Sequence, residues 1–446
     1  MAEALELLGG RVVWNINSTA RGGGVAELLE SLVAYARGGG VDARWVVIEG
    51  RPEFFELTKR IHNRLHGAPG DGGTLDDRAH RLYEEVLKDD VQAVAAQVCP
   101  GDVVIVHDPQ PAGLIDALRA AGASVIWRCH VGLDQPNDYA RDAWRFLRRY
   151  VADADAWVFS RESFVWEGLD PDRIELIAPS IDVFSPKNQD LAHDTVRSVL
   201  EASGILSTDR NAPPATFQRA DGTPGRVGRR AELFEDQPLR TEDPVVLQVS
   251  RWDALKDPIG VIRGFAEHVP LELGAHLVYA GPSIAAVADD PEGGRVLRDA
   301  LALREELSES VRARVHLASL PMEDPEENAI IVNALQRHAS VIVQKSIAEG
   351  FGLTVAEAMW KGRPVVASRI GGIQDQIIDG ESGVLLDDPS DLATYGSALG
   401  GLLSDHARAE QTGTSARERV REEFTSPRSL LDYLRVIRTV LGRGGE

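Results

Sequence analysis

Short apolar runs alternate with longer amphipathic stretches along the whole chain, and that rhythm predicts most of its elements. Residues 12–16 read as a buried strand; behind a glycine triplet, Val25, Leu28, Leu29, Leu32 and Ala36 then recur at helical spacing. Residues 45–48, 103–106, 124–127 and 157–159 are further short apolar runs, separated by helical segments such as 54–65 and 141–150. The second half repeats the plan. Runs at 245–249, 276–279, 315–317, 341–344, 364–367 and 384–386 alternate with helices near 258–268, 329–338, 353–361 and 392–403. Strands alternating with helices imply parallel sheets covered on both faces, so the fold class is α/β with two doubly wound, Rossmann-like domains. A last helix, from about 426 to 441, carries Leu430, Leu431, Leu434 and Ile437 as one stripe. Residues 205–243 break the rhythm. They are rich in Arg, Asp, Pro and Gly with no clear period, and predict a surface loop or disordered insert.

Length agrees with two domains, since 446 residues exceed the roughly 100–200 that one domain commonly holds. A hydrophobic content of 43% with 26% charged residues is that of an ordinary globular chain. No stretch approaches the roughly 20 uninterrupted apolar residues of a membrane span, and no basic region followed by an apolar stretch opens the sequence. The expected location is cytoplasmic. A formal charge of −21 opposes nucleic acid and anionic membranes as partners. Cys99 and Cys129 alone give neither a disulfide framework nor a multi-cysteine metal site.

The chemistry concentrates in a few words of sequence. Glu349 and Glu357 stand eight positions apart around Gly350-Phe351-Gly352-Leu353-Thr354, at the start of a predicted helix. Open N–H groups at a helix N-terminus hold phosphate or sugar hydroxyls, and carboxylates accept from sugar diols. A helix with an acidic first turn is the plain alternative. Arg251 and Lys256 lie just past the strand 245–249, where they can neutralise a leaving diphosphate; a solvated loop pair is their ordinary role. Gly22, Gly23 and Gly24 permit close backbone approach to an anion, or simply a tight turn.

His130 ends the run 125–129 at a strand's carboxyl end, and Asp134 and Asn137 follow in the same loop as candidates for acceptor hydroxyls. Asp108, within His107-Asp108-Pro109-Gln110, is a second acceptor candidate or else the cap of a Pro-braced turn. Ser18, Thr19 and Arg21 are weaker candidates. The Asp153-Ala154-Asp155 word precedes a strand instead of following one and reads as a turn rather than a metal site. Metal-ligand spacings, the Walker loop and the dinucleotide G-x-G-x-x-G are absent from the sequence, so no cofactor or metal is expected.

The E-x7-E word with its Gly-Phe-Gly-Leu core, and the Arg/Lys pair before it, resemble the retaining glycosyltransferases of the GT-B type. Residues 13–19, 22–27 and 42–50, with Trp127-Arg128-Cys129-His130 and Glu357-Ala358-Met359-Trp360-Lys361-Gly362, narrow that resemblance. They look like the trehalose glycosyltransferring synthases and the retaining trehalose phosphorylases. The similarity runs through most of 11–185 and 245–440 and fails over 205–243.

The resemblance implies a GT-B fold: domain 1–185, with helix 426–446 crossing back to it, and domain 186–425, facing each other across a cleft. It gives Glu357 the ribose hydroxyls, Glu349 the transferred glucose, and residues 350–353 the sugar and phosphates. A histidine at the place of His130 touches the donor sugar. The implied reaction makes α,α-trehalose from a nucleoside-diphosphate glucose and glucose, with retention and without a protein nucleophile. A phosphorylase, a transferase with another acceptor, and a non-catalytic sugar-nucleotide sensor using the insert as a partner-binding element are the alternatives. A homodimer is the assembly left open.

Overall fold

The computed structural model describes residues 6–20, 24–207, 214–283 and 291–443. The chain divides into two compact units, Met1–Ser180 with Phe424–Glu446, and Ile181–Glu423. Each is built on its own sheet.

Unit 1 carries a six-stranded parallel sheet of β1 (Val12–Asn17), β2 (Asp42–Val47), β3 (Val103–His107), β4 (Ser124–Cys129), β5 (Ala156–Phe159) and β6 (Ile174–Leu176), in the order β2-β1-β3-β4-β5-β6. The strand order reverses between β1 and β3, which sets a ligand crevice at their carboxyl ends. Central strands are buried on both faces, so they read mainly as apolar runs, interrupted only by buried polar residues such as Asn15 and Arg128. The edge strand β2 instead alternates, exposing Asp42 and burying Ala43, and for that reason its first residues fall outside the apolar run that marks it. One face packs the helices Pro52–Leu65, Asp77–Ala95 and Asp138–Val151 around Phe54, Tyr83, Trp127 and Phe146. The other receives the helix Gly24–Gly38 and the last helix, Ser426–Arg443. That last helix buries Ser429, Tyr433, Val436, Ile437 and Val440. Its apolar stripe is therefore turned from the one expected: Leu431 is 56% exposed, and Leu430 and Leu434 are only partly covered.

Unit 2 holds β9 (Glu232–Phe234), β10 (Val245–Val249), β11 (His276–Pro282), β12 (Val315–Leu320), β13 (Val341–Gln344), β14 (Val365–Ser368) and β15 (Val384–Leu386), in the order β15-β14-β13-β10-β11-β12-β9. All pairings are parallel except that of β9 with β12. The order reverses between β10 and β13.

The segment expected as irregular is ordered over its described part. β7 (Thr216–Gln218) and β8 (Pro224–Arg226) form an antiparallel hairpin, and β9 closes the sheet's edge. Charge and local apolar burial both fix it, the latter through Phe217, Val227 and Leu239. Arg219 bonds Asp324 at 2.5 Å and Glu326 at 2.7 Å, while the buried Glu327 accepts from the Gly228 and Arg229 amides at 2.7 Å each. Apolar periodicity carries no trace of such pairing. Among the described residues no helix is long and apolar enough to cross a membrane.

Candidate active site

The reversal point of unit 2 collects most of the donor-site residues. β10 ends at Val249; Arg251 follows and is 69% exposed in its side chain, held to Asp253 at 2.8 Å. Lys256 closes a short turn whose Asp253 caps the Leu255 amide. From the neighbouring β13 the chain runs through 345–352, and the Lys256 ammonium meets the Glu349 carboxylate at 2.5 Å with 14% and 15% of the two side chains exposed. Gln248, the one polar residue inside β10, joins the two segments: its amide donates to the Lys256 carbonyl at 2.8 Å and accepts the Lys345 amide at 3.3 Å. Ile347 N donates to Leu255 O at 2.8 Å. A polar residue within an otherwise apolar strand was the available signal for Gln248. Lys345, fully buried and paired with Asp257, had none.

Gly352 takes φ +77° as the N-cap of the helix Leu353–Trp360 and supplies no side chain to cap it. Glycine is required by that left-handed geometry; Val355 N donates to Gly352 O at 2.9 Å, and among the described residues the Leu353 and Thr354 amides have no acceptor and stay open to a ligand. Thr354 Oγ1 donates to Gln344 at 3.2 Å, Gly350 N donates to Glu349 at 3.2 Å, and Phe351 is buried. A second glycine loop braces the first. Gly371 has φ +48°, and a Cβ there would stand 2.0 Å from the Glu349 carbonyl. Gly372 N donates to Gly350 O at 2.7 Å, and Gln376 Nε2 donates to Phe351 O at 2.5 Å. Sequence reasoning passed over Gly371, Gly372 and Gln376, although the paired glycines after β14 were visible.

Glu357 is not an exposed helix carboxylate. It is 5% exposed and lies 3.4 Å from Lys187. Burial pushes the neighbouring Lys361 ammonium down, against the Glu357 charge that favours it; Lys361 also donates to Asn188 at 2.5 Å.

In unit 1, Ser18 follows β1 and is partly exposed, while Gly24 opens the helix Gly24–Gly38. Arg21, Gly22 and Gly23 lie outside the described residues. His130 directly follows β4. A chain of rings leads to it: His107 Nε2 meets Asn15 Oδ1 at 3.1 Å, and His107 Nδ1 meets His130 Nε2 at 3.1 Å. Since the Asn15 oxygen only accepts, His107 carries its proton on Nε2 and receives one from His130 Nε2–H. Burial, with the Arg128 cation, pushes His107 down to about 3 and His130 well below the usual imidazole range. His130 is thus a neutral imidazole that donates a hydrogen bond to His107, not a cationic imidazolium at neutral pH.

Asp108, in the left-handed region at φ +64°, accepts from His130 N at 2.8 Å, and burial pushes its carboxyl up to about 6. It braces the His130 backbone. Asp134 holds Arg161 at 2.7 Å and Ser163 at 2.8 Å. Asn137 caps the helix Asp138–Val151 through Ala140 N and ties Gly67 O at 2.8 Å, so both ends of its amide are committed. Asp155, of the Asp-x-Asp word, pairs with Arg119 and Val125 N at 2.7 Å each, in the turn before β5.

Residues 229–419 match the family described as glycosyl transferases group 1, and residues 15–166 that described as trehalose synthase, N-terminal domain. An α,α-trehalose-phosphate synthase (UDP-forming) from Burkholderia xenovorans shares the fold, with TM-score 0.68 at 14% identity over 96% of this chain and 100% of that one. The chain is a glycosyltransferase with the GT-B fold. It is 35% identical to a trehalose synthase of Pyrococcus horikoshii over 99% of its own length and 92% of the relative's. With a trehalose synthase of Rubrobacter xylanophilus the identity is 37%, over 98% and 92%. The chain belongs to the trehalose synthase family of group 1 glycosyl transferases.

Proposed function

We propose that the protein moves glucose from a nucleoside-diphosphate glucose to free glucose with retention, giving α,α-trehalose. The observation that carries this reading is the pairing of Lys256 with Glu349 at the β10/β13 reversal, beside the open N-terminus of the helix Leu353–Trp360. A diphosphate placed there meets the Lys256 ammonium, the exposed Arg251 guanidinium and unpaired backbone amides, all of which grow more favourable as the leaving group gains charge. Glu349, fixed by Lys256, presents its carboxylate to the hydroxyls of the transferred sugar, and the buried Glu357 takes the ribose diol.

In the step itself the acceptor hydroxyl oxygen bonds to the anomeric carbon from the face the diphosphate leaves. The anomeric C–O bond breaks with its electron pair going to the leaving phosphate oxygen, which takes the acceptor's proton. No side-chain nucleophile is used. Side-chain cations, rather than a resident metal, carry the diphosphate charge in this scheme. The relatives named trehalose synthase support the disaccharide product.

A product screen tests it: uridine, adenosine and guanosine diphosphate glucose, each against glucose and glucose 6-phosphate. Trehalose from free glucose is the expected product. A phosphorylated disaccharide, or glucose 1-phosphate formed from trehalose only with inorganic phosphate, would overturn the assignment.

A further inference from the structure

A second concentration of positive charge lies in unit 2, around a cavity of about 230 Å³ lined by His193, Arg197, Arg337, His338, Lys361 and Arg363. It belongs to the other end of the sheet from the candidate donor site. His338 ends the helix Pro325–His338 just before β13, and Arg363 just precedes β14, so both mark the amino ends of strands whose carboxyl ends carry residues 345–352 and 369–372. None of the proposed transfer chemistry uses it.

The charges are incompletely answered. Among the described residues no carboxylate lines the cavity, in a chain whose formal charge is −21. Among the described residues neither Lys361 nor Arg363 has a carboxylate within 4.0 Å, whereas Arg337 reaches Asp190 at 3.0 Å, and Arg197 reaches Asp194 at 3.5 Å and Glu201 at 4.0 Å. Arg363 donates one Nη to the Arg337 carbonyl, but among the described residues its buried Nε has no partner, and neither has the buried His338 Nε2. Burial pushes His338 down to about 4, with Arg363 and His193 adding to the effect and Asp243 opposing it; burial and then Arg337 lower Arg363. The Arg363 guanidinium is thus held as a cation at a cost that a bound anion would relieve, while His338 stands neutral near pH 7.

The backbone adds to this field. The helix His193–Ala202 starts at the cavity wall with Ala192 as N-cap and no side-chain cap, so its first-turn amides face the site, and Asp194 in that turn offsets part of its positive end. At about 30 Å³ per water, the space corresponds to between about seven and eight waters, more than a phosphate group alone fills.

We infer that this cavity is a second anion site, built for a phosphate dianion, free or as the ester of a small polar molecule. Arg197 and Arg363 supply guanidinium forks, Lys361 a point charge, and the helix His193–Ala202 its amides.

Isothermal titration calorimetry on the full chain tests the site. Saturating UDP or ADP is present to fill the catalytic diphosphate site, and ionic strength is matched with chloride. Inorganic phosphate and glucose 6-phosphate are titrated separately. One equivalent of either probe should bind in the presence of nucleotide, and Arg197→Gln and Arg363→Gln should each weaken it by about tenfold or more. Tighter binding of glucose 6-phosphate assigns the ester, and tighter binding of phosphate the free ion. Absence of binding at millimolar probe, loss of binding on adding nucleotide, or undiminished binding in the two variants would overturn the inference. Arg197 keeps 31% of its side chain exposed, so its variant remains decisive should Arg363→Gln fail to fold.

Discussion

Lys256→Met separates what the Lys256–Glu349 pair does for the fold from what it does for turnover. The change keeps the length and apolar stem of the side chain and removes its charge. In the wild type the two groups stand 2.5 Å apart, with 14% and 15% of their side chains exposed. Losing one partner of a fully enclosed pair costs about 3–5 kcal/mol; the remaining access to water here reduces that to roughly 2 kcal/mol. For a domain of this size each kcal/mol moves Tm by about 2–4 °C, so the unit should melt roughly 4–8 °C lower. Turnover should fall further, because a cation lost from the developing diphosphate charge is worth about 2.7–4 kcal/mol, or about 10²–10³ in kcat. Adding Glu349→Gln removes the stranded carboxylate, so the double variant should regain most of its melting temperature and none of its rate. Circular dichroism melts and steady-state release of nucleoside diphosphate measure the two quantities independently. A folded Lys256→Met enzyme with kcat within about tenfold of wild type would refute the placement of the diphosphate. Failure of the double variant to recover its melting temperature would refute the ion-pair account of stability.

Gly371→Ala forces a Cβ to within 2.0 Å of the Glu349 carbonyl at a left-handed φ, so the first glycine loop must move; donor KM should rise and kcat should fall by about 10²-fold, with unaltered kinetics counting against the bracing role. Asp108 has its carboxyl raised by burial to about 6 in the folded chain, from an ordinary 3.8. Its contribution to stability is therefore fully present below pH 3.8 and lost as pH rises through about 6. Asp108→Asn, which tolerates the left-handed φ and still accepts from His130 N, should raise Tm at pH 8 and leave it unchanged near pH 3.5; an equal shift at both values would contradict the assignment. Asn137→Ala should lower stability by about 1 kcal/mol through the lost helix cap and leave the acceptor KM unchanged. A large KM effect at unchanged stability would restore Asn137 as an acceptor ligand.

The central strands and their helices were legible because parallel sheets bury both faces, and continuous apolar runs such as 103–106 and 341–343 have no other simple reading. Edges were less so. β2 starts three residues ahead of its apolar run because Asp42 and Arg44 face water. The hairpin β7–β8 and strand β9 left no apolar period, since their buried apolar residues, Phe217 and Val227 among them, are few, and Arg219 and Arg229 anchor the segment to Asp324, Glu326 and Glu327 across about 100 residues of sequence. The last helix was found but rotated, as counting leucines overlooked Tyr433, Val436 and Val440.

In the site, the E-x7-E word and the Arg/Lys pair marked segments that the fold brings together at one strand reversal. What the sequence could not convey was the support beneath them. Gln248 links two loops nearly a hundred positions apart, Gly371 lies against Glu349, and Asn15 with His107 fixes the tautomer of His130. Such roles arise from register and close approach, and residue type alone does not carry them. Asn137 shows the converse: its residue type suited an acceptor ligand, but the helix start at Asp138 already uses it.

The most direct measurement is a crystal structure of the full chain soaked separately with UDP and ADP. The diphosphate should lie at the β10/β13 reversal, with its oxygens about 3 Å from Lys256 Nζ and from the amides that open the helix Leu353–Trp360, and the ribose on Glu357. Nucleotide density anywhere else, with that helix end left to water, would contradict that placement.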